Sequence, residues 1–271
     1  MYYGIPTLLE LESIEECAKL CSDLNLHFVE LNMNLPWCQP DKLDPDKLNK
    51  IAEKYGIYYT FHLDERFDIS DFNPIVSQAY SDTFIKAIES AKKIKAHIIN
   101  MHLSDGVYFT LPQGKVYLYE KYEDEYLKSI SSFVSLAEKE IGDSGIKITI
   151  ENTGGFTSFQ KKTIEIMLNS EVFGLCYDLG HDYKHSKPDE EFVLNNKDKL
   201  YHVHFHDATE NSDHLPLGEG ENDLVKYLYL ANEINASMVL ETKTVEGLKK
   251  SVDFLANTPM PIIEQYGLFE E

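Results

Sequence analysis

The chain is poor in positive charge and almost without arginine. Arg66 is its only one, and 25 Lys plus Arg face 46 Asp plus Glu, a formal net charge of -21. Such a field repels nucleic acid and anionic membrane surfaces on average, and no basic run of the kind that tracks DNA offsets it. Long apolar runs are missing too. No window is apolar enough to span a bilayer, and the opening MYYGIPTLLELE has neither a basic leader nor a long apolar run, so a soluble, cytoplasmic protein without a membrane partner is expected. The four cysteines make no disulfide framework: Cys17 and Cys21 lie four apart in a helical pattern, wider than a zinc knuckle, and Cys38 and Cys176 are isolated. Free thiols suit a reducing compartment. Linkers rich in Pro, Gly and Ser are also lacking, which removes the usual places to divide a chain into domains.

What is present is a repeat. With 43% hydrophobic residues the chain can bury a substantial core. Short β-rich runs alternate with longer amphipathic ones: YYGIP from Tyr2, FVELNM from Phe28, IYYTFHL from Ile57, HIINMHL from His97, KITIENT from Lys147, FGLCYDL from Phe173, YHVHFHD from Tyr201 and SMVLETK from Ser237. Helical stretches such as DPDKLNKIAEKYG and VEGLKKSVDFLAN follow them. This pattern predicts an α/β fold, a single (β/α)8 TIM barrel over residues 1–271 with a short tail from about residue 258. An open doubly wound sheet is the alternative, but no glycine fingerprint follows the first strand.

In such a barrel the chemistry sits at the C-terminal ends of the strands. Alternation along each strand tests that placement, because residues two apart share a face. Assigning the apolar set outward leaves Thr60 and His62 inward on the third run, Asn100 and His102 on the fourth, Thr149 and Glu151 on the fifth, and Cys176 and Asp178 on the sixth. The seventh turns His202, His204 and His206 inward, and the eighth turns Glu241 inward. Any one of these is more often a satisfied core or rim residue than a ligand. Six successive strands each contributing His, Asp or Glu to one rim call for a cation or a network, since unpaired buried charges cost several kcal/mol each. His181, in DLGH, and His214, in SDHLPLGEG, lie on adjacent loops and extend the set. Mixed imidazole and carboxylate ligands suit Zn or Mn and, with fewer histidines, Mg.

Taken in order, HLD at His62, MHLS at His102, IENTGG at Glu151, YDLGH at Asp178 and His181, VHFHD at His204, DHLPLGEG at His214 and LETK at Glu241 resemble the xylose isomerase-like barrel superfamily. That superfamily holds sugar isomerases and epimerases together with endonuclease IV-type apurinic-site nucleases (AP endonuclease family 2). The resemblance covers nearly the whole chain. It implies, on the epimerase side, one divalent ion held by Glu151, Asp178, His204 and Glu241, with the two glutamates also the acid/base pair on opposite faces of the substrate. On the nuclease side it implies further ions, up to three zinc, held with His62, His102, His181 and His214. The nuclease pattern carries Asp-x-His where this chain reads Ser212-Asp213-His214, a departure at the third ion. The loop LDERFDIS after His62 also departs from the DNA-penetrating segment of the nucleases.

Two enzyme readings follow. The first is a metal-dependent isomerase or epimerase of a small sugar or sugar phosphate, with proton transfer by Glu151 and Glu241 and a metal-stabilised enediolate. The second is a zinc-dependent phosphodiesterase, for which the extra histidines speak. A binding barrel without catalysis ranks last, because binding alone does not need two facing carboxylates. The acidic surface favours the small substrate. Arg66, Lys243, Trp37 and His206 are the candidate substrate contacts: Arg66 can fork onto a phosphate or carboxylate, although pairing with Asp64 or Asp68 is the plainer use. Trp37 either walls the pocket or anchors its loop, and the tyrosine-rich segment Val107–Tyr122 serves as a lid or a subunit contact. His27, His97 and His185 are read as structural.

Overall fold

The eight runs fold as strands because each pairs an apolar outward face with a parallel neighbour. The strands are β1 (Tyr3–Pro6), β2 (Phe28–Asn32), β3 (Tyr58–His62), β4 (Ile98–His102), β5 (Lys147–Glu151), β6 (Phe173–Asp178), β7 (Leu200–Phe205) and β8 (Ser237–Leu240). The protein, seen here in a computed structural model that describes residues 1–258, closes them into a parallel barrel in chain order, β8 pairing with β1. This is the expected TIM barrel. The tail from about residue 258 lies outside the described residues from 259 onward. No helix of the described residues is long and apolar enough to cross a membrane.

Helices start and stop where local chemistry dictates. Asp44 caps the helix Pro45–Tyr55 by accepting from the backbone N–H of Asp46 and Lys47, Pro45 needs no donor in the first turn, and Gly56 ends the helix with φ 66°. Thr157 and Gln160 form a reciprocal capping box on the helix Ser158–Met167. The outward residues of the strands, among them Leu31, Phe61, Met101, Ile150, Tyr177 and Phe205, are buried against these helices. That layer forms the hydrophobic core.

The barrel interior divides along its axis. At the N-terminal end Phe28 stacks on Tyr58 with ring centroids 5.0 Å apart, and Gly4 leaves the room, since a Cβ there would approach the Phe28 ring to 2.4 Å. Above this floor the interior is polar: Thr60, Asn100, Thr149, His202 and His204 are all buried. Register brings them level, pairing Glu30 with Thr60, His102 with Glu151, Cys176 with His202 and Asp178 with His204. The inward set read from alternation is therefore the set that meets in the middle.

Candidate metal centre

Four strands deliver the central group. Glu151 ends β5, Asp178 ends β6, His204 is the last inward residue of β7, and Glu241 follows β8; one donor atom from each lies within 4.8 Å of the other three. His204 Nδ1 is 2.9 Å from Glu241 Oε2, 3.3 Å from Glu151 Oε2 and 3.9 Å from Asp178 Oδ2. Yet His204 Nδ1 and Glu241 Oε2 are buried without a hydrogen bond of proper geometry. Three carboxylates and an imidazole nitrogen aimed at one point repel unless a proton or cation sits among them. The donor set and the orphaned atoms fit a divalent ion.

Neighbouring groups hold these side chains in place. Asn100 Nδ2 donates to Glu151 Oε2, and Thr149 Oγ1 fixes Asn100 by donating to its Oδ1 at 2.9 Å. Asn152 clamps the end of β6, accepting from the Asp178 N–H and donating to the Asp178 carbonyl, each at 2.9 Å. Asp178 Oδ1 accepts the His181 N–H at 2.7 Å, so the carboxylate also caps the short helix Leu179–Lys184.

Two imidazole groups flank the centre. His62 Nε2 is 3.2 Å from Glu151 Oε2 and His102 Nε2 is 3.4 Å from Glu151 Oε1. On the other side His181, His206 and His214 bring one nitrogen each within 4.8 Å of the others, and His181 Nδ1 is 3.3 Å from Asp178 Oδ2. His102 Nε2 and His181 Nδ1 are further buried atoms without a hydrogen bond. At the departure from the nuclease pattern, Ser212 is exposed on a hairpin, while Asp213 Oδ2 lies 3.8 Å from His181 Nε2 and 3.0 Å from Lys184 Nζ. A lysine ammonium thus meets Asp213 beside the imidazoles.

The electrostatics follow from this crowding. Burial opposes ionisation of Glu151, but His204 and His102 hold its carboxyl well below the usual carboxylate range. Glu241 is likewise lowered against burial, by His204 and Lys243. Burial would depress His62, yet the bond to Glu151 and its charge lift it to about 9. His214 goes the other way, pushed down to about 4 chiefly by burial.

Above the centre opens a polar cavity of about 770 Å³. Arg66 and Lys243 line it, with Asn32, Thr153, Gln160 and Tyr117. Lys243 Nζ lies 2.8 Å from Glu241 Oε1. Tyr117 comes from the exposed hairpin Tyr108–Leu111 and Gly114–Tyr117, so the tyrosine-rich segment does border the mouth. Trp37 and His206 do not line the cavity. Trp37 packs half-buried against the hydrophobic core, and His206 is fully buried, its Nε2 3.0 Å from Asp178 Oδ1 and its Nδ1 accepting the His214 N–H at 2.8 Å. His206 therefore contacts Asp178 rather than the cavity. Gly180 makes room for it, since a Cβ there would come within 1.9 Å of the ring.

Two residues of this region escape a reading of the sequence alone. Glu30, inward on β2, hydrogen-bonds His202 and lies 3.0 Å from His204 Nε2. Alternation held the signal, because Val29 and Leu31 are outward apolar residues on either side of it. Asp207 is the other. It is buried, and its carboxylate accepts the backbone N–H groups of Ala208, Gly218, Gly220 and Asn222 at 2.9 to 3.0 Å, which folds the His214 loop over the rim. Nothing in the local pattern of DATENSDHLPLGEGEN marks that link.

A closed parallel barrel with a carboxylate and imidazole rim at its C-terminal end defines the class. The chain belongs to the xylose isomerase-like TIM barrel family, whose model matches residues 12–258. An uncharacterised protein of Methanocaldococcus jannaschii is 27% identical over 212 residues, 76% of this chain and 79% of that one. Among solved structures, the fold is similar to a D-tagatose 3-epimerase-like protein (TM-score 0.75, 22% identity, 94% of this chain and 96% of that chain). It is similar also to the apo form of the 3-keto-D-glucoside 4-epimerase YcjR of E. coli (TM-score 0.74, 16% identity, 94% and 98%). A third is the IolI protein with a bound zinc atom (TM-score 0.71, 16% identity, 95% and 97%).

Proposed function

We propose that the protein is a divalent-metal-dependent isomerase or epimerase of a small sugar or sugar phosphate, with Zn or Mn held by Glu151, Asp178, His204 and Glu241. The observation that carries this reading is the convergence of those four side chains, with orphaned buried atoms, at the floor of a polar cavity of about 770 Å³. The sugar epimerases among the proteins of similar fold support the choice of substrate class, and the zinc in the IolI structure supports a metal. A bound divalent ion supplies Lewis acidity to adjacent carbonyl and hydroxyl oxygens and so acidifies the C–H between them.

The chain's own residues manage the proton. Glu151 and Glu241 both rest as carboxylates, so either can accept the C–H proton. Once that carboxyl has exchanged its proton with solvent, delivery to the neighbouring carbon, with the hydroxyl proton passing to the former carbonyl oxygen, gives the isomer. Epimerisation instead needs the opposite glutamate to arrive protonated and to deliver its proton to the other face. Arg66 and Lys243 bind an anionic group at the mouth. The test is incubation of the metal-loaded protein with ketoses, aldoses and their phosphates in D2O, followed by NMR. One solvent deuterium at the carbon beside the carbonyl is expected, and absence of exchange across the whole panel would remove the reading.

A phosphodiesterase with two or three zinc ions is the second reading, favoured by the imidazoles His62 and His102 on Glu151 and by His181 and His214 on the far side. Glu65 and Asp105 at the mouth oppose a polyanionic substrate. Elemental analysis separates the two: one exchangeable ion supports the isomerase, two or three zinc ions the phosphodiesterase.

A further inference from the structure

Glu30 stands inside the barrel on β2, one layer beneath the central group, and is 3% exposed. Both of its oxygens are engaged. Oε1 lies 3.0 Å from His204 Nε2; Oε2 lies 3.0 Å from His202 Nε2 and accepts from Thr60 Oγ1 at 3.3 Å. The other nitrogen of His202, Nδ1, is 2.6 Å from Ser237 Oγ. A carboxylate accepts and cannot donate, so the hydrogens between it and the two rings belong to the imidazoles. The Glu30 contacts therefore place N–H at Nε2 of each ring, the 3.0 Å approach of Oε1 to His204 outweighing the longer 3.4 Å contact of Asn100 Nδ2 with the same nitrogen, while Ser237 Oγ faces His202 Nδ1. The chain of bonds leaves a single direction for the remaining His204 nitrogen. Nδ1 faces Glu151, Asp178 and Glu241.

We infer that Glu30 is a positioning residue for the metal centre: its carboxylate, 3.0 Å from His204 Nε2, fixes the tautomer and tilt that present Nδ1 to the ion, with His202 and Thr60 bonding the carboxylate from below and Ser237 backing His202. The inference rests on the metal reading proposed above. A purely structural Glu30, present only to satisfy buried His202, would leave metal affinity untouched once the fold is intact. A carboxylate partner on a ligating histidine instead orients the ring and raises its basicity, an effect worth roughly 10–100-fold in affinity.

The test uses the full chain in two measurements. In the zinc-loaded, 15N-histidine-labelled protein, NMR should find His204 protonated at Nε2 and unprotonated at Nδ1. Competition with a chromophoric chelator should find zinc bound roughly 10–100-fold more weakly by Glu30→Gln than by the native chain, with the thermal melt still cooperative. A folded Glu30→Gln that holds zinc within about twofold of the native chain overturns the inference, as does a His204 carrying its proton on Nδ1. If the variant does not fold, the tautomer of the native chain decides alone. A native chain that binds neither Zn nor Mn removes the metal reading itself, and the inference with it.

Discussion

At the scale of single residues, the centre is defined by carboxylates whose charges repel in the absence of a cation. Neutralising one should weaken the ion without unfolding the barrel. Glu151→Gln and Glu241→Gln are each expected to lower Zn or Mn affinity at least tenfold in a chelator competition, because each removes a charged donor from a four-donor set. Unchanged affinity in both would show that the ion, if any, lies elsewhere. The titration of the metal-free protein has a definite sign as well. His62 is raised to about 9 in the fold, so its contribution to stability is complete below about 6.5 and is lost as pH climbs through 9. His204 is raised too, and works in the same direction. His214, lowered to about 4, disfavours the fold as pH falls below about 6.5. With chelator present, Tm should therefore be highest near neutrality and decline by pH 9, while saturating Zn should add more to Tm at pH 9 than at pH 6, since the ion competes with protons. A chelated protein whose Tm rises steadily to pH 9 would contradict this assignment.

At the scale of elements, the return loop after β7 depends on one carboxylate. Asp207 gathers four backbone N–H groups and so places the hairpin that carries His214, whose own φ of 53° is left-handed. Gly220 cannot be replaced quietly there, because a Cβ would approach Asp207 Oδ1 to 2.4 Å. Asp207→Ala strands those donors and should cost about 1–3 kcal/mol, with amide exchange accelerated over residues 208–222 and the rest of the barrel protected. Exchange that stays slow in that loop would refute the anchoring role. The strands themselves were legible from alternation, since each outward apolar set matched a buried layer. The inward direction of Glu151, Asp178, His204 and Glu241 was legible for the same reason. Glu30 was equally inward by that rule, but it sits a layer lower, and its meaning lies in contacts across the barrel with β7 that no local pattern encodes. His206 shows the converse: its direction was readable, whereas its burial against Asp178 depends on Gly180, a residue far from it in sequence. Trp37 could not be placed from sequence, because a loop side chain packs into whatever space the helices leave.

At the scale of the whole molecule, a net charge of -21 meets a cavity whose lining includes two cationic side chains that are not histidine, Arg66 and Lys243. Long-range repulsion disfavours a DNA duplex, which presents many phosphates at once, far more than a sugar carrying one. Lys243 is already drawn to Glu241 Oε1 at 2.8 Å, which leaves Arg66 as the freer of the two cations. Its guanidinium can hold a phosphate through two parallel bonds, and a neutral sugar gains little from it. Arg66→Gln should therefore raise KM about tenfold or more for a phosphorylated substrate and leave kcat and the turnover of a neutral sugar nearly unchanged, a loss of about 1.4 kcal/mol in ground-state and transition-state binding alike. Added salt should raise the native KM for the phosphate in the same direction by screening that pair. An equal effect of Arg66→Gln on charged and neutral sugars would mean that the arginine shapes the mouth without reading charge, and would turn the search toward unphosphorylated substrates.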